Sequence, residues 1–330
     1  MKMIDYINDF TAHLRDAIKI AENTKLKSNT KEITNVMICG VGGSGIGGSI
    51  IKDILSPKAR VPIMTNKDYS VPNFVTKSTL VIANSYSGNT EETLCAINSC
   101  RKKGAEIAVI TSGGRLKTLA EEHKYNAIII PSGEPPRAMF GYAFTELFYM
   151  LNHYGIINSS FKSDIEKAIP LLDSEKHNIQ KKAKDLAKKI SGKTPIIYVA
   201  NGLEGVAIRF RQQINENSKM LCWHHVLPEM NHNELVGWRT NVANLAVIYL
   251  RNNSDYQKNQ IRININQRII SKYTNNISEI WSKGGSSIEN TLYHINLGDW
   301  VSWYLSEING VDAIEIDVIN FLKKELSKIA

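Results

Sequence analysis

Short apolar runs recur along this chain, and their spacing limits the fold more than any other feature. They fall at 33–39, 61–65, 80–83, 107–111 and 127–130, with helix-like stretches between most of them. Short strands alternating with helices call for βαβ units and a parallel sheet covered on both faces. A helix over 138–154 follows, with Phe140, Phe144, Leu147, Phe148 and Leu151 on one side. The rhythm then starts again. An amphipathic stretch from Lys162 to Lys193 precedes runs at 195–200, 220–223, 245–250 and 277–281, with a helix from about Leu203 and a last helix near 318–329. The pattern predicts an α/β protein of two doubly wound parallel-sheet halves, 1–155 and 156–330, joined around 155–160. Each half opens with a long helix. The first runs from Ile4 to about Leu26, with Ile7, Phe10, Leu14 and Ile18 at helical spacing. All five tryptophans (223, 238, 281, 300 and 303) fall in apolar runs of the second half and are expected in the core.

A chain of 330 residues, 43% hydrophobic and 22% charged, can bury such cores without disulfide or metal staples. Its 40 Lys+Arg against 32 Asp+Glu leave a net charge of +8, which points to an anionic partner. Much of that excess is local: Lys162 to Lys193 holds nine lysines and five acids, a surplus of four. There Ile165, Ile169, Leu172, Ile179, Ala183, Leu186 and Ile190 follow one helical face and the lysines take the other, as on a solvated helix. No aromatic or arginine interleaves them, so nucleic acid is not the expected partner. The four cysteines show no C-x-x-C pair and no regular spacing, which fits a reducing compartment. The N-terminus does not read as a signal peptide, and no apolar stretch approaches the ~18 residues of a membrane span. The expected setting is the cytoplasm, with no membrane partner.

The anion is better sought in two loops. The first predicted strand runs into Gly40-Val41-Gly42-Gly43-Ser44-Gly45-Ile46-Gly47-Gly48, a strand-to-helix turn. Glycine allows close backbone approach, and a helix N-terminus offers free N–H groups to an anion. Gly40-x-Gly42-x-x-Gly45 also satisfies a dinucleotide fingerprint, which would want an acid at the end of the second strand. That strand ends at Thr65-Asn66, with Asp68 slightly beyond. A nucleotide-linked oxidoreductase therefore stands as one reading. The strand at 80–83 ends in Asn84-Ser85-Tyr86-Ser87-Gly88-Asn89-Thr90-Glu91-Glu92-Thr93, again before a helix. Ser85, Ser87 and Thr90 bring three hydroxyls to one turn, a socket for a tetrahedral phosphate, and Asn89 or Thr90 can cap the helix. A dinucleotide site gives no reason for this loop.

Together the two loops resemble the sugar isomerase (SIS) domain, which binds phosphosugars. The resemblance implies two SIS-type, flavodoxin-like domains, with Ser85, Ser87 and Thr90 as phosphate ligands and Gly43 and Ser44 lining the sugar site. SIS folds serve as sensors as well as enzymes, so catalysis needs residues of its own. Aldose–ketose isomerisation passes a proton between C1 and C2 through an enediolate. It needs a base, a group that opens the sugar ring and positive charge near the enediolate oxygens.

The second half supplies candidates. Arg211-Gln212-Gln213-Ile214-Asn215-Glu216-Asn217-Ser218-Lys219 places Glu216 near a helix end. Pro228-Glu229-Met230-Asn231-His232-Asn233-Glu234-Leu235-Val236-Gly237-Trp238 sets His232 among polar residues. Cys222, His224, His225, Glu229, His232 and Glu234 are rich in potential metal ligands, yet H-E-x-x-H is absent and Glu-x-x-His occurs once, so no metal is expected. These two segments resemble the bifunctional phosphoglucose/phosphomannose isomerases. So do Glu134-Pro135-Pro136-Arg137-Ala138 and Ile319-Asn320-Phe321-Leu322-Lys323, the latter with Asn320 where the family has an acid. After Gly310-Val311-Asp312 the family usually continues with proline and small residues, whereas this chain has Ala313-Ile314-Glu315-Ile316. The resemblance implies Glu216 as the base, Arg137 as the enediolate stabiliser, Lys323 as an aid to ring opening and His232 as the ring opener, donated by the partner subunit of a homodimer. It implies no cofactor. An ordinary glutamate titrates near ~4.3 and is ionised at neutral pH, as a base must be. A planar, always charged guanidinium suits a pair of enediolate oxygens. A non-catalytic phosphosugar sensor is the alternative from another class; it would keep the socket and need neither Glu216 nor His232.

Overall fold

The computed structural model describes residues 2–240 and 244–329. In chain order its elements are α1 (Met3–Asn8), α2 (Phe10–Asn23), β1 (Asn35–Cys39), α3 (Gly42–Leu55), β2 (Ile63–Asn66), β3 (Thr79–Asn84), α4 (Glu91–Lys102), β4 (Glu106–Thr111), α5 (Gly114–His123), β5 (Asn126–Ile129) and α6 (Phe140–His153). Then come α7 (Ser160–Ile190), β6 (Thr194–Ala200), α8 (Glu204–Ser218), β7 (Trp223–Leu227), a 3-10 turn (Glu229–His232), α9 (Glu234–Gly237), β8 (Leu245–Arg251), α10 (Gln257–Ile270), β9 (Ile277–Trp281), α11 (Ser287–Asn309) and α12 (Asp317–Leu326).

The strands form two sheets, ordered β2-β1-β3-β4-β5 and β7-β6-β8-β9. Every pairing is parallel. The first order is that of a flavodoxin-like sheet, and the second repeats it without the fifth strand. Helices cover both faces, so central strands are apolar along their whole length: Leu80, Val81, Ile82 and Ala83 of β3 are all fully buried. The chain order reverses between β1 and β3, and a ligand crevice is expected at the carboxyl ends of those two strands. The glycine loop leaves β1 there, and the serine–threonine loop leaves β3.

The two sheets are joined through helices. Gly205 near the start of α8 lies so close to α3 that a Cβ would stand 2.8 Å from the backbone N of Ile50. Asp53 of α3 caps the same end, accepting the Gly205 N–H at 2.7 Å. On the other side of α8, Gly298 of α11 admits the ring of Phe210, with 3.1 Å from a notional Cβ to the ring. One apolar cluster consequently runs through both halves, from Leu14 and Ile50 to Phe210 and Trp300.

Several expectations change. The opening helix is broken at Asp9 into α1 and α2. The run expected at 220–223 is a connection; the strand is β7, Trp223–Leu227, an edge strand whose His224 and His225 hide its alternation. Trp223 sits on that edge and is exposed, whereas Trp238 and Trp300 are buried. The helix α11 has no counterpart in the sequence reading. It is buried on nearly all sides with polar and apolar residues mixed, so it shows no amphipathic stripe.

Candidate active site

Two loops meet at the carboxyl ends of β1 and β3. Asn84 Nδ2 donates to the Ser44 carbonyl at 2.8 Å, and the Tyr86 N–H donates to Ser44 Oγ at 2.9 Å. Ser44 therefore ties the loops together with the hydroxyl that the sequence assigned to lining the sugar site. Within the second loop, Ser85 Oγ and Thr90 Oγ1 are 2.8 Å apart, and Ser87 Oγ accepts the Asn89 N–H at 3.3 Å. Thr90 stands at the N-cap of α4, but its hydroxyl turns to Ser85 and caps nothing. Among the described residues the first-turn N–H groups have no side-chain acceptor. Gly88, at φ +68°, holds this loop against Gly113, whose carbonyl occupies the space of a Cβ. In the second sheet the matching connection, β8 to α10, carries its own anion: Asp255 Oδ2 accepts the Asn252 N–H at 2.9 Å.

The glycine loop leads to the second half of the site. A Cβ on Gly43 would stand 3.0 Å from the Arg137 backbone N, so only a bare backbone lets the two segments lie together. Arg137 is 3% exposed. Its Nε donates to Asn217 Oδ1 at 2.8 Å, and its Nη2 donates to the carbonyls of Ala313 and Ile314. The remaining Nη1 faces Glu216 Oε2 at 3.4 Å. Burial pulls the Arg137 guanidinium down from its ordinary value, and Glu216 opposes that shift. The helix α8 positions Glu216 in its last turn. Lys219, in the left-handed conformation, ends the helix and turns its Nζ back to the carbonyls of Glu216, Asp312 and Glu315. The Glu216 carboxylate is thus left to Arg137. It borders a cleft of about 390 Å3 that Leu221, Met220, Ile316, Val318 and Ile319 also line.

The structure brings Gly43, Ser44, Arg137 and Glu216 into one continuous arrangement, beside the loop of Ser85, Ser87 and Thr90. His232 ends the 3-10 turn and Lys323 lies on α12; both are exposed and, among the described residues, neither side chain forms a hydrogen bond or ion pair, with this arrangement or elsewhere. The turn under His232 is nevertheless well anchored. Asn231 Nδ2 donates to Asn266 at 2.8 Å, and Glu234 accepts from Trp223 and Tyr198 and pairs with His225 at 2.8 Å. Among the described residues no group of three or more His, Cys, Asp or Glu is placed to hold a metal ion, and no helix is long and apolar enough to cross a membrane. The sequence reading missed Arg209, Gln213 and Asn217, spaced by four along α8 and buried together. The other polar residues of α8, among them Arg211, Gln212 and Asn215, hid that period in the sequence.

Fold and loops together define a protein of two SIS-type α/β units, with the glycine and serine–threonine loops at the carboxyl ends of β1 and β3 and Arg137 and Glu216 beside the glycine loop. The SIS domain model matches residues 34–152, and the bacterial phospho-glucose isomerase C-terminal SIS domain model matches residues 179–326. A bifunctional phosphoglucose/phosphomannose isomerase of Caldicellulosiruptor bescii is 35% identical over 338 residues, covering 99% of each chain. One from Thermoplasma acidophilum is 35% identical, covering 90% of this chain and 91% of its own. The chain belongs to the bifunctional phosphoglucose/phosphomannose isomerase family. A D-glucosamine-6-phosphate 4-epimerase of Sulfolobus acidocaldarius is 36% identical over a shorter stretch, 62% of this chain and 64% of its own. Among solved structures, the C-terminal domain of a glucosamine-fructose-6-phosphate aminotransferase from Francisella tularensis superposes with a TM-score of 0.75 at 14% identity, covering 95% of this chain and 98% of that one, a likeness of fold.

Proposed function

We propose that this chain interconverts glucose 6-phosphate, and mannose 6-phosphate as a second aldose, with fructose 6-phosphate. The observation that carries the reading is the Glu216–Arg137 pair, set against the glycine loop in a chain of this family. Ser85, Ser87, Thr90 and the first-turn N–H groups of α4 hold the substrate phosphate, with Gly43 and Ser44 against the sugar. The Glu216 carboxylate takes the proton from C2 of the open aldose and returns it to C1, giving the ketose through a cis-enediolate. Arg137, fixed at Nε and Nη2, presents Nη1 to the enediolate oxygens without having to reorganise. The base and the stabiliser face each other, Glu216 Oε2 standing 3.4 Å from Arg137 Nη1.

Ring opening is assigned to His232 of a second copy, with Lys323 assisting. Two features support a homodimer: the exposed, unpartnered ring of His232 on an anchored turn, and α12, whose apolar Val318 and Phe321 are 81% and 65% exposed. The units are taken as 1–155 and 156–330, working in the cytoplasm with neither metal nor cofactor. A sensor that binds without turnover has no use for a buried arginine aimed at a carboxylate.

A coupled assay tests the reading. Purified protein is offered each aldose phosphate in the presence of a chelator, and fructose 6-phosphate formation is followed. Turnover of glucose 6-phosphate is expected, with the mannose isomer also consumed. Binding of the sugar phosphates with no turnover would assign the chain to the sensors.

A further inference from the structure

We infer that Asp299, on α11, is a positioning residue for the isomerisation, acting on Arg137 through Arg209. The inference rests on the functional reading above. Arg209 Nη2 lies 2.7 Å from Asp299 Oδ2 and also donates to the Arg137 backbone carbonyl at 3.2 Å. Gln213 Nε2 fills the other Asp299 oxygen at 2.9 Å. The Asp299 carboxylate therefore braces the main chain of Arg137, while Asn217, held by Ser302, receives the Arg137 Nε–H separately. The Arg209 guanidinium also lies 4.4 Å over the ring of Phe140, which opens α6 just after Arg137.

The cost of this arrangement points to its purpose. Arg209 and Asp299 are 2% and 5% exposed, and a buried ion pair is seldom more stable than apolar residues of the same volume. Among the described residues Arg209 Nε has no acceptor, so the network is not even fully satisfied. Apolar side chains could pack α8 against α11 at least as well. They could not hold the Arg137 carbonyl, and with it the residue's main chain, in one place relative to Glu216. Since misplacing a reacting group by ~1 Å can cost up to ~100-fold in rate, that placement is worth an unfavourable burial.

The test compares Asp299→Asn with the double variant Arg209→Met/Asp299→Leu, and both with Ile197→Ala, a core variant that leaves the network intact. Turnover, KM for glucose 6-phosphate and melting temperature are measured for each. Asp299→Asn leaves Arg209 buried and unpaired, and is expected to lower both kcat, by roughly 10- to 100-fold, and the melting temperature. The double variant is expected to recover the melting temperature but not kcat. KM stays within about threefold in both, since the phosphate socket lies in the first sheet. Ile197→Ala loses stability and keeps kcat. Should Asp299→Asn fail to fold, the double variant carries the comparison alone. A double variant with wild-type kcat in an active enzyme makes the pair merely structural and overturns this inference only. A wild-type protein without isomerase turnover overturns the functional reading, and this inference with it.

Discussion

At the scale of single residues, two acids show how environment divides roles. Glu216 is part-exposed in the last turn of α8, beside a cation it can share with a substrate. Glu146, in the middle of α6, is fully buried, and neither carboxyl oxygen has a partner among the described residues. Burial, with a smaller push from Asp16, raises its titration from 4.5 to about 9. The folded chain therefore keeps this proton across neutral pH, while the unfolded chain releases it above 4.5. The native state binds the extra proton, so this residue's contribution to stability falls as pH rises from about 4.5 to about 9. Glu146→Met is expected to flatten that fall. The gain should be on the order of 1–3 kcal/mol at pH 8 and small at pH 4. Thermal melts of both proteins across that range check it, and parallel pH profiles would contradict it.

At the scale of elements, the site depends on close loop contacts that tolerate no side chain. Gly88→Ala would push a Cβ into the Gly113 carbonyl at a positive φ. It is expected to displace Ser85, Ser87 and Thr90, raising KM for the sugar phosphate by about tenfold or more, with a stability loss of roughly 1–3 kcal/mol. Saturation kinetics measure the first and chemical denaturation the second; an unchanged KM would mean that the loop does not hold the phosphate. The elements legible in the sequence were those whose burial is uniform. Strands such as β3 and β8, buried on both faces, read as unbroken apolar runs. The glycine and serine loops were legible because few other structures need such residues in such order. What escaped notice was set by partners distant in the chain. β7 alternates across an edge, with histidines where an apolar run was sought. α11 mixes Asp299 and Ser302 with Leu297 and Val301 because both polar residues answer groups on α8, 85 to 90 residues away in the chain. Asp299 could not be read as part of the site without that pairing.

At the scale of the whole molecule, the net charge of +8 says little about the ligand. A surplus of three lies on α7, and the proposed phosphate contacts are hydroxyls and backbone N–H groups that carry no formal charge. Assembly matters more. If His232 acts in its partner's site, His232→Ala and Glu216→Gln are each inactive alone, yet a mixed dimer holds one intact site in two. Random reassociation of equal amounts should restore about a quarter of wild-type activity; activity that stays at background would place His232 in its own chain's site, and a His232→Ala variant active by itself would place it outside the reaction. The central claim is that Glu216 carries the C1–C2 proton. Glucose 6-phosphate labelled with deuterium at C2 tests it most directly, by following label lost to water and label found at C1 of fructose 6-phosphate. The wild-type protein should do both, and Glu216→Gln should slow both by roughly 100- to 10,000-fold while still binding the sugar phosphate. Label movement at the wild-type rate in Glu216→Gln would contradict the account.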